Sequence, residues 1–160
     1  MPAPDDRHAR LGQAVHRVLQ WAVDAAAAAH NLAELAGAAS AEFGVADAMA
    51  VEAVAANILH SPDCARFFDV QSIAWAGNEV PVAGTGAAAG AVLRIDRLVQ
   101  TNDAMPTWWV LDYKLDAAPQ LNPDYLAQLA AYGQAVQALQ PGQSVRCAFI
   151  TASGEVIEPG

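Results

Sequence analysis

The chain has 160 residues, 54% of them apolar with alanine in excess, and a formal net charge of −9. That length suits one domain with a substantial core, and no uninterrupted stretch reaches the roughly 18 apolar residues of a membrane span. The acidity counts against a chain that grips nucleic acid unaided, because phosphate contacts need Lys and Arg to displace counterions.

Residues 1–10, with two prolines and adjacent Asp5 and Asp6, read as a linker remnant, and 11–160 as a single domain. The polar start lacks the basic and apolar regions of a secretory signal, which points to the cytoplasm. Leu11, Val15, Val18, Leu19 and Ala22 recur at helical spacing, predicting an amphipathic helix that continues through Ala25–Ala29. A second helix is expected from about Val45 to Leu59. Ser61-Pro62-Asp63 combines an N-cap, a proline at the first helical position and an acid in the first turn, and so starts a short third helix. From Val70 the texture becomes β-branched and aromatic, predicting strands near 71–82, 90–99 and 107–115, the first a bent hairpin around Gly77. Asn122-Pro123-Asp124 starts another helix that runs to about Leu139, where Pro141-Gly142 stops it, and a strand near 144–151 is expected to close the sheet. Cys64 and Cys147 lie far apart without CxxC spacing, so two buried free thiols are expected rather than a disulfide or a zinc site.

The chemistry concentrates in two strands. Within Trp108-Trp109-Val110-Leu111-Asp112-Tyr113-Lys114 the two-residue period sets Asp112 and Lys114 on one face. Lys114 is the only lysine in the chain, and a compact amine is not replaceable by a guanidinium where a point charge must sit close to water or phosphate. Asp96 lies among apolar neighbours, where a carboxylate is costly unless it is paired or holds a metal. The short 100–106 connection makes the two strands neighbours, so Asp96 and Asp112 can converge on one cation, and oxygen donors suit Mg2+ or Mn2+. Trp108 and Trp109 are expected in the core rather than as a stacking platform for bases.

Ile95-Asp96-Arg97-Leu98 followed by Leu111-Asp112-Tyr113-Lys114 resembles the GxxD and DxK motifs of RecB/AddA-type nucleases, a branch of the PD-(D/E)XK superfamily. Gly12-Gln13-Ala14-Val15-His16 resembles the family's helical GxxxH, and Gln128-Leu129-Ala130-Ala131-Tyr132 its QxxxY, so the four motifs stand in the family's order. Each is weak alone: His16 by itself would be an ordinary helix-flank histidine, and Asp112 with Lys114 a surface ion pair. Glu79 in Asn78-Glu79-Val80-Pro81 resembles the acid of the family's early strand. Two departures stand out: Gln20, where many relatives carry glutamate, and Arg94, two before the aspartate where glycine is common. Arg94 shares the strand face of Asp96 and is expected to be able to pair with it.

The resemblance implies an α/β fold with a restriction-endonuclease-like core, a mixed central β-sheet flanked by helices and a helical N-terminal half. It implies a Mg2+-dependent deoxyribonuclease of exonuclease type, with Mn2+ as a substitute ion. His16, Asp96, Asp112 and the Tyr113 carbonyl would hold the metal; Asp96, Asp112 and Lys114 would be catalytic, with Glu79 an additional acid. Gln128 and Tyr132 would bind the DNA backbone. The implied partners are DNA, UvrD/Rep-like helicase domains in a longer chain and a second subunit of an AddAB/RecBCD-like complex, working in double-strand-break repair and recombination. The alternative is a catalytically silent nuclease-like module that guides DNA or docks a partner.

Overall fold

Helix α1 spans Pro4–Trp21 and buries Ala14, Val15, Val18 and Leu19, whose three- and four-residue spacing makes one inward stripe. The computed structural model describes residues 4–22 and 28–160. Pro4–Arg10, expected as the end of a linker, are therefore helical. Proline suits a first helical turn because its missing N–H has no partner there anyway. Of the expected continuation through Ala25–Ala29, residues 25–27 lie outside the described residues, but α1 itself already ends at Trp21.

Helix α2, Leu32–Phe43, was not anticipated from sequence. It ends at Gly44, whose positive φ of 67° lets its N–H reach back to the Ser40 carbonyl. Helix α3, Ala48–Leu59, starts three residues later than expected because Asp47 is its N-cap, the carboxylate accepting from the Ala50 N–H. Pro62–Cys64 forms a 3-10 turn that leads into the short α4, Ala65–Phe68.

The second half supplies the sheet. Strands β1 (Ile73–Ala83), β2 (Val92–Thr101), β3 (Thr107–Tyr113), β4 (Ser144–Ile150) and β5 (Val156–Ile157) are ordered as numbered. β1, β2 and β3 pair antiparallel; β3 and β4 are parallel, joined by helix α5 (Pro123–Leu139); β4 and β5 are antiparallel. Asn122 caps α5 by accepting from the Asp124 and Tyr125 N–H groups. β1 is one strand paired with β2 along its length, with an irregularity between Ile73 and Trp75, and not the expected hairpin. Gly77 allows the Trp75 ring to fold back, since a Cβ there would lie 2.7 Å from it. β4 does not close the sheet; the two-residue β5 covers its outer edge.

The two faces of the sheet divide the core in two. Val99, Trp109, Leu111 and Tyr113 face Val15, Val18, Leu19, Phe67 and Phe68 of the N-terminal helices. Ile95, Leu98, Trp108, Val110 and Phe149 face Leu129, Tyr132 and Val136 of α5. The result is a mixed sheet between helical layers, as expected, and both tryptophans of β3 are core residues. Cys64 is buried and Cys147 only partly so; both are free, and burial pushes each thiol up to about 11, which leaves them unreactive. Among the described residues, no helix is long and apolar enough to cross a membrane.

Candidate active site

Strands β2 and β3 separate at one end, and the polar residues gather in that opening. Their pairing runs from Gln100 with Trp108 to Arg97 with Leu111 and goes no further, although one more step would set Asp96 beside Asp112. In place of the next ladder bond, the Asp96 carboxylate enters the gap and accepts from the Tyr113 N–H at 2.9 Å. On the other side of β2, Asn78 pairs with Arg97 and Val80 with Ile95, so Glu79 falls opposite Asp96. Glu79 has a positive φ of 51°, a conformation that side chains seldom adopt and that packing must hold in place.

Helix α1 brings His16 over this opening. Its Nδ1 lies 3.5 Å from Asp96 Oδ1 and its Nε2 3.2 Å from the Tyr113 carbonyl oxygen. Gly12, one turn earlier, keeps the approach open; a Cβ there would just touch Leu115. One ligand atom each from His16, Glu79 and Asp96 lie within 4.8 Å of one another. Asp112 stands on the side facing α5, 3.5 Å from Lys114 Nζ. Lys114 itself is fixed through its backbone N–H to the Ile150 carbonyl and through Nζ to Gln128 Oε1 at 3.2 Å.

Burial and crowding shift the protonation of these groups. Burial raises the Asp96 carboxyl above its ordinary range. Burial, and then a hydrogen bond and repulsion from Asp96, push Asp112 up to about 8. Burial also lowers the His16 imidazole, so it stays a neutral donor of a lone pair. Asp112 Oδ2 is buried without a hydrogen-bond partner among the described residues. Clustered carboxylates, a neutral imidazole, a backbone carbonyl and an orphaned carboxylate oxygen are a donor set for a divalent cation, and such an ion would offset the burial and mutual repulsion of the carboxylates. The residues present fit a metal.

Behind the site, buried Arg97 donates to the Phe67 carbonyl at 3.0 and 2.7 Å and to Asn78 Oδ1 at 2.9 Å. Asn78 in turn donates to the Gln20 carbonyl. This chain ties β1, β2, α1 and α4 together directly beneath Glu79 and Asp96. In front is a cleft of about 640 Å3, lined by His16, Glu79, Arg94, Lys114, Gln13 and Tyr125 among others.

The sequence matches the PD-(D/E)XK nuclease superfamily over residues 2–158. The chain belongs to that superfamily. Among curated proteins no relative matches it. PD-(D/E)XK proteins are generally nucleases, hydrolases that typically use divalent metals, which agrees with the donor set described above.

Within this PD-(D/E)XK domain the expected residues do not all meet in the same way. His16, Glu79 and Asp96 form the tightest group, whereas Asp112 adjoins it through Asp96 and Lys114. Gln128 reaches Lys114, but Tyr132 is 7% exposed and packed in the α5 side of the core, so the two tips of QxxxY do not share one open surface. Arg94 makes no ion pair with Asp96 or with any other described residue, contrary to expectation. Sequence reasoning passed over Tyr125, whose ring lies 4.6 Å from Lys114 Nζ. It also passed over His8 and Asp116, whose side chains approach to 3.7 Å at the mouth. Tyr125 was findable, since it stands three residues before Gln128 and therefore on the same helix face.

Proposed function

We propose that this is a Mg2+-dependent deoxyribonuclease domain of the RecB/AddA type, a single catalytic domain working at DNA ends as an exonuclease. The observation that carries the reading is the convergence of His16, Glu79 and Asp96 within 4.8 Å, beside an Asp112–Lys114 pair. A bound Mg2+ or Mn2+ would polarise the scissile phosphate and neutralise charge developing on its oxygens. His16, Asp96, Asp112 and the Tyr113 carbonyl hold the ion in this reading, with Glu79 as a further acid. Lys114 sits beside Asp112 where a water attacking the phosphorus would lie, and its amine orients that water. Gln128 fixes the Lys114 amine, and Tyr132, buried in the core on the α5 side, anchors the helix that carries Gln128. Cleavage leaves a 5′-phosphate and a 3′-hydroxyl, with slight sequence preference because the contacts are to backbone.

In its cellular setting the domain is read as the nuclease part of a cytoplasmic helicase-nuclease, joined to UvrD/Rep-like motor domains and a second subunit, acting in double-strand-break repair and recombination. The support is the ordered motif set together with the −9 charge, which leaves most of the grip on DNA to neighbouring basic domains.

The test is degradation of linear single- and double-stranded DNA by the purified chain with Mg2+ or Mn2+. Asp112→Ala and Lys114→Ala should each lower the rate at least about a hundredfold, the usual scale for losing one positioned catalytic group. Degradation that survives both substitutions overturns the assignment of the site. A folded protein whose melting temperature ignores millimolar Mn2+ instead supports the silent guiding module.

A further inference from the structure

We propose that Arg94 binds a backbone phosphate of the nucleic-acid strand next to the one being cleaved; the proposal rests on the nuclease reading and adds to it a specific contact for substrate. Arg94 and Asp96 lie two residues apart on β2, so their side chains leave the strand about 6.6 Å apart along its length. Both belong to the surroundings of one opening, and Arg94 lines the same cleft as His16, Glu79 and Lys114. A guanidinium beside a group of carboxylates would ordinarily be drawn into an ion pair. Here Asp96 is instead occupied by the Tyr113 N–H and by His16, and Arg94 makes no ion pair with any described residue.

The other cations of the cleft are already engaged. Lys114 is held by Asp112 and Gln128. Arg17 is held by Glu42 and Gln20 and lies over the Phe43 ring. Arg94 is exposed, and its register partner on β1 is Pro81, which carries no N–H and offers the guanidinium no carboxylate. A planar fork of N–H donors matches two oxygens of a phosphodiester. In a cleft whose carboxylates face the scissile position, such a donor favours a polyanion running along β2 over a lone phosphate ester.

The experiment uses the Lys114→Ala protein, loaded with Mn2+, as a slowly cleaving parent, alone and with Arg94→Ala or Arg94→Lys added. The probes are labelled single-stranded oligonucleotides, unmodified or carrying one neutral methylphosphonate at successive positions, read by fluorescence anisotropy from 50 to 200 mM salt. Arg94→Ala should weaken binding of the unmodified strand about tenfold, the scale of a hydrogen bond to a charged group. It should also reduce the salt slope of log Kd by about 0.7, the share of one phosphate on a single strand. One methylphosphonate position should weaken the parent and leave Arg94→Ala unaffected, with Arg94→Lys in between. Unchanged affinity and slope in Arg94→Ala, or a variant that stays sensitive at every position where the parent is, overturns the proposal.

Wild-type cleavage of the same strands, measured in parallel, separates the two readings. Cleavage with unchanged Arg94→Ala binding defeats this proposal alone. Absent cleavage with the expected methylphosphonate pattern defeats the nuclease reading and keeps the phosphate site. A parent that binds no strand defeats this proposal, and defeats the nuclease reading too when wild type cleaves none. Were Arg94 only repelling the metal, Arg94→Ala would bind Mn2+ more tightly and show no position-specific effect.

Discussion

Asp112 carries the sharpest conflict in the molecule, a buried carboxyl whose neighbours are another carboxyl and an amine. Its folded value near 8 is raised above the ordinary carboxylate value of about 4, so the native state binds more protons than the unfolded one across that interval. Stability contributed through this group is therefore whole below about pH 4 and declines as pH rises towards 8. Asp112→Asn should remove the penalty and raise the melting temperature of the metal-free protein at pH 8 by at least about 3 °C, the effect of roughly 1 kcal/mol in a chain of this size. The gap should narrow steadily as pH falls and close only below about pH 4, and the Mn2+-induced rise, larger in wild type at pH 8 than at pH 6, should shrink in the variant. Thermal melts over pH and Mn2+ concentration check all three; a variant less stable than wild type at pH 8 without metal contradicts the account. At this scale the sequence was informative where a motif fixes spacing: the strand period alone set Asp112 beside Lys114, and the short connection set Asp96 near both. It was silent where meeting depends on the third dimension. Tyr125 reaches Lys114 only because α5 crosses over β3, and Tyr132 is buried by that same crossing.

Elements whose ends carry local chemistry were readable in advance, and those without such signals were not. The Asn122 cap placed the start of α5, and the Thr, Val and Trp content of 92–113 placed β2 and β3 to within a few residues. Helix α2 escaped because its alanines give almost no contrast between faces and the glycine inside it, Gly37, weakens the helical signal. The two-residue β5 is defined by pairing with β4 rather than by any pattern of its own. The contact between α5 and β4 offers a test of how tightly the layers are set. Gly133 faces Cys147, and a Cβ on it would lie 2.6 Å from the sulfur. Alanine is the better helix former by about 1 kcal/mol, yet Gly133→Ala should destabilise the protein by about 1–3 kcal/mol, because overpacking displaces the helix from the sheet. Adding Cys147→Ala removes the sulfur and should restore stability to at least the level of Cys147→Ala alone. Urea unfolding of the four proteins measures the coupling, and additive losses would show that the helix does not rest on that sulfur.

For the molecule as a whole, the acidic balance and the proposed activity on a polyanion are reconciled by where the few cations lie. Of the eight Lys and Arg residues, Arg17, Arg94 and Lys114 line the cleft. Arg97 is buried as a tie between elements, while Arg66 and Arg146 lie 4.6 and 4.4 Å from the Trp109 ring, Arg146 also paired with Glu158. Arg7 and Arg10 are exposed on α1 outside the cleft lining, so a single strand held by the cleft alone meets three cations at most and its salt slope of log Kd should not exceed about 2 in magnitude. The carboxylates of Glu79 and Asp96, joined by Asp112 once pH exceeds about 8, would repel the same phosphates until an ion offsets them. Binding to the isolated chain should therefore be weak without Mn2+ and strengthen when it is added, with a slope that stays shallow. Anisotropy titrations from 50 to 200 mM salt, with and without Mn2+, decide this. A steep slope would place a second basic surface outside the cleft, and equal affinity with and without the ion would separate strand binding from the carboxylate cluster. A shallow, ion-dependent slope is what a catalytic end would show if the holding of the duplex belongs to other parts of a larger assembly.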